Sequence, residues 1–318
     1  MLDVIGIGKP VKDLLVAIDE MPPQDGAALA KCFSSQSGGK VASAMVAAAR
    51  LGMKAGMYAV LGDDAKGRFC VEDFQRHGVD VSHIELRPGK TSPYCLSIAE
   101  KKNENRRFIG DLGTSGMLEA DALDLAYLAS ARLLHLENGD PASLRAARFA
   151  KEHGITVAMD ADTYSPAIEA IEPYVDLFIA SAFYVKGRFK DATLEEGLEQ
   201  IAARGCKVVI FTLGSRGCIG YAEVKHFSLP AFSGLQVVDT TGAGDVFHGG
   251  YITAWLLGQS PEECARFASA VSYIKCTRLG GRAGIPTREM VDYFLAHGTL
   301  PEKTDLDERS AFYASLVT

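Results

Sequence analysis

The sequence predicts an α/β protein whose central sheet is mainly parallel and is covered by helices on both faces. Two observations indicate this class. From residue 119 onward, short apolar segments typical of buried strands alternate with segments of helical spacing, and this alternation indicates a parallel sheet. The chain has 318 residues, of which 47% are hydrophobic and 23% are charged, so it can bury a full core. We therefore expect one three-layer α/β/α domain spanning residues 1–318.

The composition also argues against several classes of function. A net charge of −7 disfavours nonspecific binding to nucleic acid or to an anionic membrane. No apolar run approaches the ~20 residues of a membrane span, and residues 1–5 have the pattern of a strand without the basic start of a signal peptide. The seven cysteines form no C-x-x-C pair, which predicts reduced thiols in a cytoplasmic protein.

The first strand is predicted over residues 4–8, a short apolar run broken by glycines. A dinucleotide-binding fingerprint would need glycine in place of Val11 and a helix directly afterwards. Pro10 and the alternation in residues 13–19 predict further strand instead, which excludes a dehydrogenase. Asp13 follows the first strand, where open α/β sheets bind ligands; a ligand-binding residue and an ordinary turn aspartate are both consistent with the pattern.

Residues 21–37 contain several turn signals and are expected to form turns and short extended pieces. The glycine pair Gly38-Gly39 then permits close backbone approach to a ligand. It precedes an alanine-rich helix over residues 40–52, with Gly52 as its C-cap. A tight turn before a core helix, with no ligand, fits these residues equally well.

A small second sheet is predicted beside the main one. Residues 57–61 are predicted as a strand of the main sheet, and the following Asp63-Asp64 place a carboxylate to cap the helix that runs to about residue 77. Residues 91–99 and 105–109 are extended runs joined by the polar turn 101–104, which indicates a hairpin. Together, segments of about 14–36 and 91–110 would form a small inserted β sheet next to the cleft, a candidate lid.

The remaining elements alternate regularly to the end of the chain. Right-handed crossovers place the carboxyl ends of all parallel strands at one rim, where Asp13 and Asp160 would lie. The tail, residues 300–318, is expected to pack on the surface or on a neighbouring subunit. Strands are predicted over 133–136, 155–160, 177–180 and 208–212, and helices near 119–130, 141–153, 193–204, 243–257, 260–277 and 287–296.

The most informative stretch is residues 237–250, VVDTTGAGDVFHGG. Two β-branched residues, a turn of small residues and an apolar run of helical spacing predict a strand, a glycine turn and a helix N-terminus. Such a turn gathers backbone N–H groups at the positive end of the helix dipole, which suits a phosphate oxygen. Asp245 then lies where an anion would bind. It either accepts a proton from the group that is phosphorylated or only caps the helix.

A second glycine turn, residues 212–217 (TLGSRG), follows another buried strand. Alone it is equally consistent with a plain hairpin. Paired with the first turn it suggests two neighbouring binding places, one for a nucleotide and one for the transferred phosphoryl group.

These motifs resemble those of the ribokinase-like (PfkB) carbohydrate kinases over nearly the whole chain. Residues 239–247 are similar to the family's C-terminal signature, and Gly38-Gly39 with residues 49–52 to its N-terminal signature. Residues 60–64 and 212–217 are similar to two further family motifs. The resemblance implies a parallel α/β/α domain with a small β lid, and an enzyme that uses ATP and Mg²⁺ to phosphorylate a sugar hydroxyl.

The resemblance also implies a role for each candidate residue. Asp245 would be the general base, and the backbone N–H groups of Gly242, Ala243 and Gly244 would form an anion hole for the γ-phosphoryl group. In-line transfer depends mainly on such positioning and charge stabilisation. The residues implied to contact the sugar are Asp13, Gly38, Gly39, Lys40, Ser43 and, from the lid, Arg107; those on the nucleotide side are Thr212, Gly214, Gly217 and Thr241.

Asp239 and the loop 280–284 are similar to the part of the family that binds a monovalent cation such as K⁺. Two features depart from the family pattern. Ser43 stands where many members have asparagine, and residues 180–184 lack the carboxylate of an N-x-x-E string associated with magnesium. Substrate phosphates could still supply most of the ligands of Mg²⁺.

The C-terminal half is most similar to the sulfosugar (6-deoxy-6-sulfofructose) kinase branch. A sulfonate needs basic partners, yet Glu137 stands at one of the relevant strand ends and would repel it. Arg106 or Arg107 could supply the charge from the lid. We therefore favour a neutral sugar.

Three hypotheses for the function remain open at this stage. A carbohydrate kinase is the first, and Asp245 favours it, because a pure binding protein gains nothing from a base. A nucleoside kinase would need aromatic side chains near the lid, for which Phe33, Tyr94 and Phe108 are candidates. The third is a catalytically weak sugar- or nucleotide-binding regulator. A homodimer formed through the lid is also expected.

Overall fold

A computed structural model describes residues 1–102 and 105–317, with only the backbone of Asn105. The turn residues Asn103 and Glu104 of the predicted hairpin, and the terminal Thr318, lie outside the described residues. The strands are β1 (Leu2–Ile7), β2 (Val11–Ile18), β3 (Cys32–Gly38), β4 (Ala55–Gly62), β5 (Asp80–Arg87), β6 (Tyr94–Glu100), β7 (Asn105–Asp111), β8 (Ala131–Leu136), β9 (Thr156–Ala161), β10 (Leu177–Ser181), β11 (Val208–Thr212), β12 (Cys218–Ala222) and β13 (Lys225–Leu229).

Helices fill most of the connections between these strands. They are α1 (Lys40–Arg50), α2 (Ala65–Arg76), α3 (Leu125–Ala129), α4 (Pro141–Glu152), α5 (Pro166–Ile171), α6 (Ala182–Arg188), α7 (Leu194–Ala202), α8 (Ala243–Leu256), α9 (Pro261–Lys275), α10 (Arg288–His297) and α11 (Leu306–Ser315). Within the described part of the chain, no helix is both long and apolar enough to span a membrane.

The strands form two sheets. The large sheet has the order β13-β12-β11-β10-β9-β8-β1-β4-β5. It is parallel from β11 to β5, and at one edge β12 pairs antiparallel with β11 and β13 antiparallel with β12. The small sheet has the order β3-β2-β6-β7, in which β2 and β6 are parallel and the outer pairs antiparallel. The predicted mainly parallel α/β class with a smaller second sheet is confirmed.

The large sheet separates two hydrophobic cores. Because alternate side chains of a strand point to opposite faces, Val4 belongs to the core shared with α1, α8 and α9, and Ile5 to the other core. Leu133 and Leu134 of β8 divide in the same way. This alternation produces the three layers, since each face of the sheet buries its own set of helices.

The helices α1 and α8 pack closely on one face of the sheet. A Cβ atom on Gly249 would lie 2.5 Å from the carbonyl oxygen of Ala44 and 2.6 Å from the Cβ of Ala47. Only glycine therefore permits the observed separation of the helices. This contact fixes the first turn of α8 relative to the first turn of α1, and both turns lie at the sheet's rim.

Several elements differ from the sequence predictions, among them α5, α6 and β13, for which no helix or strand was predicted. Strand β5 was not predicted, because its side chains are half-exposed at a sheet edge and show no clear apolar alternation. Residues 237 and 238, predicted as a strand, belong to neither sheet and are about half exposed; the backbone of Val238 instead bonds to the carbonyl of Cys276. The tail forms α11, which buries Leu306 and Tyr313 against its own chain.

A buried polar network joins the small sheet, α2 and the tail. Arg282 is fully buried, and its Nε lies 3.2 Å from Asp73 Oδ2. Tyr313 donates its hydroxyl to Asp73 Oδ1 at 2.6 Å. The backbone N–H of Arg282 donates to Gln36 Oε1 of β3 at 2.8 Å. Asp73 thus has a cationic partner and a hydroxyl donor, which a buried carboxylate needs.

Replacing Arg282 should destabilise the protein strongly. Arg282→Met leaves Asp73 without its buried counter-charge, so we expect the free energy of unfolding in urea to fall by about 3–5 kcal/mol. The matched control is Arg288→Met, which removes the partly exposed pair with Asp292 at 3.5 Å and should cost about 0–1 kcal/mol. Equal losses of unfolding free energy in the two variants would contradict the role of Arg282 as the buried counter-charge of Asp73.

Candidate active site at the rim of the sheet

The glycine turn of residues 239–245 begins helix α8 as predicted. Gly242 has a φ of 75° and is the N-cap, a left-handed conformation that favours glycine. The N–H of Ala243 donates to the carbonyl of Thr240 at 3.1 Å, whereas those of Gly242 and Gly244 have no acceptor among the described residues. Two of the three predicted anion-hole donors are therefore free to bind an oxygen at the positive end of the helix.

Asp245 lies in the first turn of α8, partly exposed at the rim. Its Oδ2 lies 3.7 Å from the point that a Cβ on Gly242 would occupy, so the carboxylate folds back over the turn. The Asp245 carboxylate does not act as a cap that accepts a backbone N–H, because the N-cap of α8 is Gly242 and has no side-chain hydrogen bond. The capping alternative for Asp245 is therefore not supported.

Asp13 of β2 contacts Gly38 at the end of β3. A Cβ on Gly38 would overlap Asp13 Oδ2, so glycine is required for this approach. Gly39 follows with a φ of 98° and is the N-cap of α1. The negative charge of Asp245 helps to raise the pKa of Asp13, so the two carboxyl groups are near each other. The structure thus brings the predicted sugar-binding segment and the predicted base to one region.

Lys40 is the first residue of α1 and faces a group of acids. Burial alone would lower the pKa of Lys40, but the carboxylates of Asp160, Glu137, Asp162 and Asp245 outweigh it, so the pKa is raised. Lys40 is therefore not a freely solvated surface lysine, because its side chain is partly buried and surrounded by negative charge.

Asp245 and Asp13 both have pKa values raised to near neutrality. Burial, reinforced by Asp160, raises the pKa of Asp245 to about 7, although Lys40 acts in the opposite sense. Burial likewise raises the pKa of Asp13 to about 7, opposed by Arg282. A carboxyl group with such a pKa can accept a proton from a substrate hydroxyl more readily than an ordinary aspartate can.

Glu137 follows β8 and has a structural contact that the sequence did not reveal. Its Oε1 accepts the N–H of Lys9 at 2.8 Å, and its Oε2 accepts the N–H of Val41 at 3.1 Å. Because Gly39 has no side chain to cap α1, Glu137 supplies the cap from a different element. One indication of such a contact was present in the sequence: the residues before α1 are glycines, which have no side chain to cap the helix.

Ser43 does not face an open cleft, contrary to its predicted role as a sugar ligand. Its side chain is buried, and its Oγ lies 3.7 Å from the point that a Cβ on Gly281 would occupy. The reason is that Gln36 bonds to the backbone of Leu279 and Arg282 and holds this loop down over α1. Ser43 therefore packs beneath the loop.

Arg107 was also predicted to contact the sugar, and the strand register places it elsewhere. Paired residues of neighbouring strands share a face of the sheet. Asp13 pairs with Cys95, and Cys95 pairs with Gly110. Arg106 shares that face, since it is four residues from Gly110, whereas the intervening Arg107 lies on the opposite face. Arg106, rather than Arg107, therefore shares the face of Asp13, and a contact of Arg107 with the sugar stays a prediction.

Asp239, the predicted monovalent-cation ligand, already has its polar partners. Oδ1 accepts the N–H and hydroxyl of Thr241 at 2.9 and 2.8 Å, and Oδ2 accepts the N–H of Gly280 at 2.8 Å. Its carbonyl accepts the ammonium of the fully buried Lys275 at 2.9 Å. An internal cation is thus already in place, and the residues present do not fit K⁺.

The predicted nucleotide-side residues lie at the end of β11. Gly214 has a φ of 62° and Gly217 a φ of 87°, and together they close an antiparallel hairpin to β12. Thr212 donates its hydroxyl to the carbonyl of Ala180 at 3.3 Å. The plain-hairpin alternative is therefore correct for the backbone, and the exposed Gly214 leaves the turn accessible at the rim. Thr241 uses its hydroxyl internally, as described for Asp239.

A separate surface concavity of about 430 Å³ lies between α3 and α4, lined in part by Leu144, Arg145 and Arg148. It contains none of the residues at the rim. We assign the site to the rim, because the free N–H donors and the carboxyl groups of raised pKa are found there.

Residues 4–288 match the pfkB family carbohydrate kinases. The chain belongs to this family. The kinase is 28% identical over 268 residues to the ribokinase of Haemophilus influenzae, covering 82% of this chain and 87% of that protein. It is 31% identical over 228 residues to the fructoselysine 6-kinase of Escherichia coli, covering 70% of this chain and 83% of that protein.

Solved structures agree on the fold of this carbohydrate kinase. The ribokinase of Thermotoga maritima superposes with a TM-score of 0.80 at 26% identity, over 93% of this chain and all of that one. The Arabidopsis thaliana ribokinase, solved with ribose and ATP, superposes with a TM-score of 0.79 at 23% identity, over 92% and 98% of the two chains. The ribokinase-like fold is thereby confirmed, and ATP and Mg²⁺ are the cofactors expected for the family.

Sequence reasoning gave no role to two acidic residues of this kinase. Asp160 was expected at the rim, and Asp162 was not considered. The carboxylates of both residues raise the pKa of Lys40, and Asp162 is partly exposed. The available signal was the string Asp160-Ala161-Asp162 at the carboxyl end of a parallel strand, where ligands bind.

We expect Glu137→Gln to destabilise the kinase by about 1–3 kcal/mol, because the amide NH₂ would face a backbone N–H and leave that buried donor unsatisfied. Urea unfolding measures the loss. Glu302→Gln, at an exposed position of the tail, is the control and should have little effect. Unchanged stability of Glu137→Gln would show that the backbone groups of Lys9 and Val41 do not depend on the carboxylate.

Proposed function

We propose that this kinase transfers the γ-phosphoryl group of ATP to a hydroxyl of a neutral sugar or sugar-like molecule. The observation that carries the proposal is Asp245, a carboxyl group with a pKa raised to about 7, beside free backbone donors at a helix N-terminus. The first group suits proton abstraction and the second suits an anionic phosphoryl group.

The acceptor hydroxyl would bind between Asp13 and the glycine pair Gly38-Gly39. Asp245 takes its proton as the oxygen attacks the γ-phosphorus, and the bond from that phosphorus to the β–γ bridging oxygen breaks, so ADP leaves. The N–H groups of Gly242 and Gly244 stabilise the negative charge on the transferred group, and Ala243 continues the helix behind them. Lys40 offsets part of the negative charge of the surrounding carboxylates.

On the nucleotide side, we assign Thr212, Gly214 and Gly217 to the ATP-binding surface, with Thr241 supporting the turn through Asp239. Mg²⁺ fits Asp162, since this ion prefers carboxylate oxygens and water and Asp162 is a partly exposed carboxylate at the rim. Mg²⁺ would neutralise charge on the phosphates of ATP. The missing carboxylate of residues 180–184 is then replaced from the end of β9.

A neutral acceptor is supported by the charges at the site. Both carboxylate oxygens of Glu137 accept backbone N–H groups. This strand end therefore presents a fixed acidic residue and no basic group that could pair with a sulfonate. Phe33 and Tyr94 pair with Val16 and Lys12 respectively, on the face opposite Asp13, while Phe108 shares the face of Asp13. This separation of the three aromatic side chains gives no support to a nucleoside pocket.

An ATP-consumption screen over neutral sugars, polyols, sulfosugars and nucleosides tests the proposal. We expect the highest kcat/KM with a neutral sugar or polyol. A strong preference for a sulfosugar or a nucleoside would overturn the choice of acceptor and leave the kinase assignment intact. Seven free cysteines support a reducing, cytoplasmic setting, and the homodimer through the small sheet remains a prediction.

Asp245→Asn should lower kcat by about 10²–10⁴-fold, the usual contribution of a general base, while ATP binding measured by calorimetry is retained. The matched control is Asp191→Asn, at an exposed position between α6 and α7, which should keep full activity. Near-normal turnover of Asp245→Asn would remove this residue from the mechanism.

The rate should depend on pH through the same residue. The carboxylate must be unprotonated to act as base, so kcat should fall about tenfold per pH unit well below the pKa and level off above it. Because Asp13 and Glu137 also have pKa values of about 7, the midpoint near 7 belongs to the interacting group. A rate independent of pH between 5 and 8 would contradict proton abstraction by Asp245.

We propose further that Lys275 makes K⁺ unnecessary. The initial rate should be equal in potassium and sodium salts at the same ionic strength. Lys275→Met removes a buried charged hydrogen bond and should lower the free energy of unfolding by about 2 kcal/mol, whereas the exposed Lys303→Met should not. A rate that requires K⁺ in the unmodified enzyme would refute this proposal.

A further inference from the structure

Three side chains that the proposed mechanism does not use meet beneath the rim. They are His135 at the end of β8, Asp160 at the end of β9 and His248 in the second turn of α8. Their exposed fractions are 0%, 5% and 4%. One potential ligand atom from each lies within 4.8 Å of the other two. The three residues come from three different elements, so the fold itself brings them together.

Both imidazoles have a buried nitrogen without a hydrogen-bond partner. His135 Nδ1 lies 3.4 Å from the carbonyl oxygen of Ala158, and its Nε2 has no partner within the described ranges. His248 Nδ1 also has none there. Buried polar atoms are almost always satisfied in native proteins, so the unpartnered Nε2 of His135 indicates a missing partner in this cluster.

The contact between His248 and Asp160 is also unlike an ordinary hydrogen bond. His248 Nε2 lies 3.5 Å from Asp160 Oδ1, beyond the usual N–H···O range. Two ligands held by one zinc ion at about 2.0–2.1 Å in tetrahedral geometry are themselves about 3.4 Å apart. The separation thus suits two ligands of a shared ion.

We propose that His135, Asp160 and His248 form a binding site for a transition-metal dication of the Zn²⁺ or Co²⁺ class. Two imidazoles and one carboxylate select such metals, whereas Mg²⁺ prefers oxygen ligands. The site is therefore distinct from the Mg²⁺ that accompanies ATP. His135 has the geometry of a metal ligand, since its Nδ1 faces a backbone carbonyl and leaves Nε2 for the ion.

The charges nearby accommodate a dication. Lys40 is surrounded by Asp160, Glu137, Asp162 and Asp245, so the region has more negative than positive groups. A metal at Asp160 would reduce this excess.

The position of the site suggests a structural role for the ion. His248 lies three residues after Asp245 in α8, and the other two ligands belong to neighbouring strands of the large sheet. A bound ion would fasten the first turns of α8 to the carboxyl ends of β8 and β9. It would thereby hold the proposed base in place without contacting substrate.

Cobalt binding to the full-length chain tests the proposal without nucleotide or sugar. The protein is stripped with chelator, the chelator is removed, and Co²⁺ is titrated while visible d–d absorption is recorded. We expect saturation at one Co²⁺ per chain, displacement by Zn²⁺, and a melting temperature that rises with added Zn²⁺. X-ray absorption should show imidazole scattering. Absence of stoichiometric binding, or thiolate-to-cobalt charge-transfer bands from cysteine ligands, would overturn it.

Variants assign the ligands. His135→Gln and His248→Gln should each weaken Co²⁺ binding by more than the about 10–100-fold that loss of a supporting hydrogen bond costs. The control His226→Gln alters an imidazole at the surface that pairs with Glu199 and should bind as the unmodified chain does. Retained binding in both ligand variants would refute the assignment. Circular dichroism shows whether the variants fold. If they do not, X-ray absorption of the unmodified protein with bound Co²⁺ tests the assignment, since imidazole scattering would support it and its absence would refute it.

Discussion

The close packing of α1 on α8 at Gly249 is the constraint on which the rest of the site depends. Lys40 begins one of these helices and Asp245 lies in the first turn of the other. Because no Cβ atom fits between Gly249 and the backbone of Ala44, the two helix starts are held at a fixed offset. A wider separation would move the base away from the segment proposed to hold the acceptor.

The chemistry at the rim arises from carboxyl groups that the fold keeps close together and largely buried. Asp13, Asp160 and Asp245 each have a pKa raised to about 7, chiefly by burial. Such crowding disfavours the folded state at high pH, because ionising these groups in the interior is costly. Clusters of this kind are typical of functional sites. Lys40 and Arg282 supply the nearby positive charges that limit the cost.

The loop after α9 and the end of that helix supply the polar partners of Asp239. Asp239 and Gly280 are joined by a hydrogen bond as the motif suggests, but the ammonium of Lys275 is buried against the Asp239 carbonyl. The loop is also tied to β3 through Gln36. A rigid loop with its own internal cation can support the glycine turn of α8 without recruiting an ion from solution.

The sequence by itself determined the features that depend on local chemistry. Alternating apolar segments predicted the parallel sheet, and the glycines of residues 239–245 predicted a helix start able to bind an anion, because turn and cap preferences act over a few residues. The edge strand β5 was not predicted from the sequence, because a partly exposed strand lacks the apolar periodicity on which strand predictions rest.

The tertiary structure decided what depends on distant partners. The register of the small sheet chose Arg106 over Arg107 for the face of Asp13, because a shift of one residue reverses the direction of a strand's side chains. The capping of α1 by Glu137 joins residues 96 positions apart, and the buried Ser43 is covered by a loop from the far end of the chain. The identity of the reaction was thus present in local motifs, whereas the arrangement of charges around the acceptor came from contacts that only the folded chain brings together.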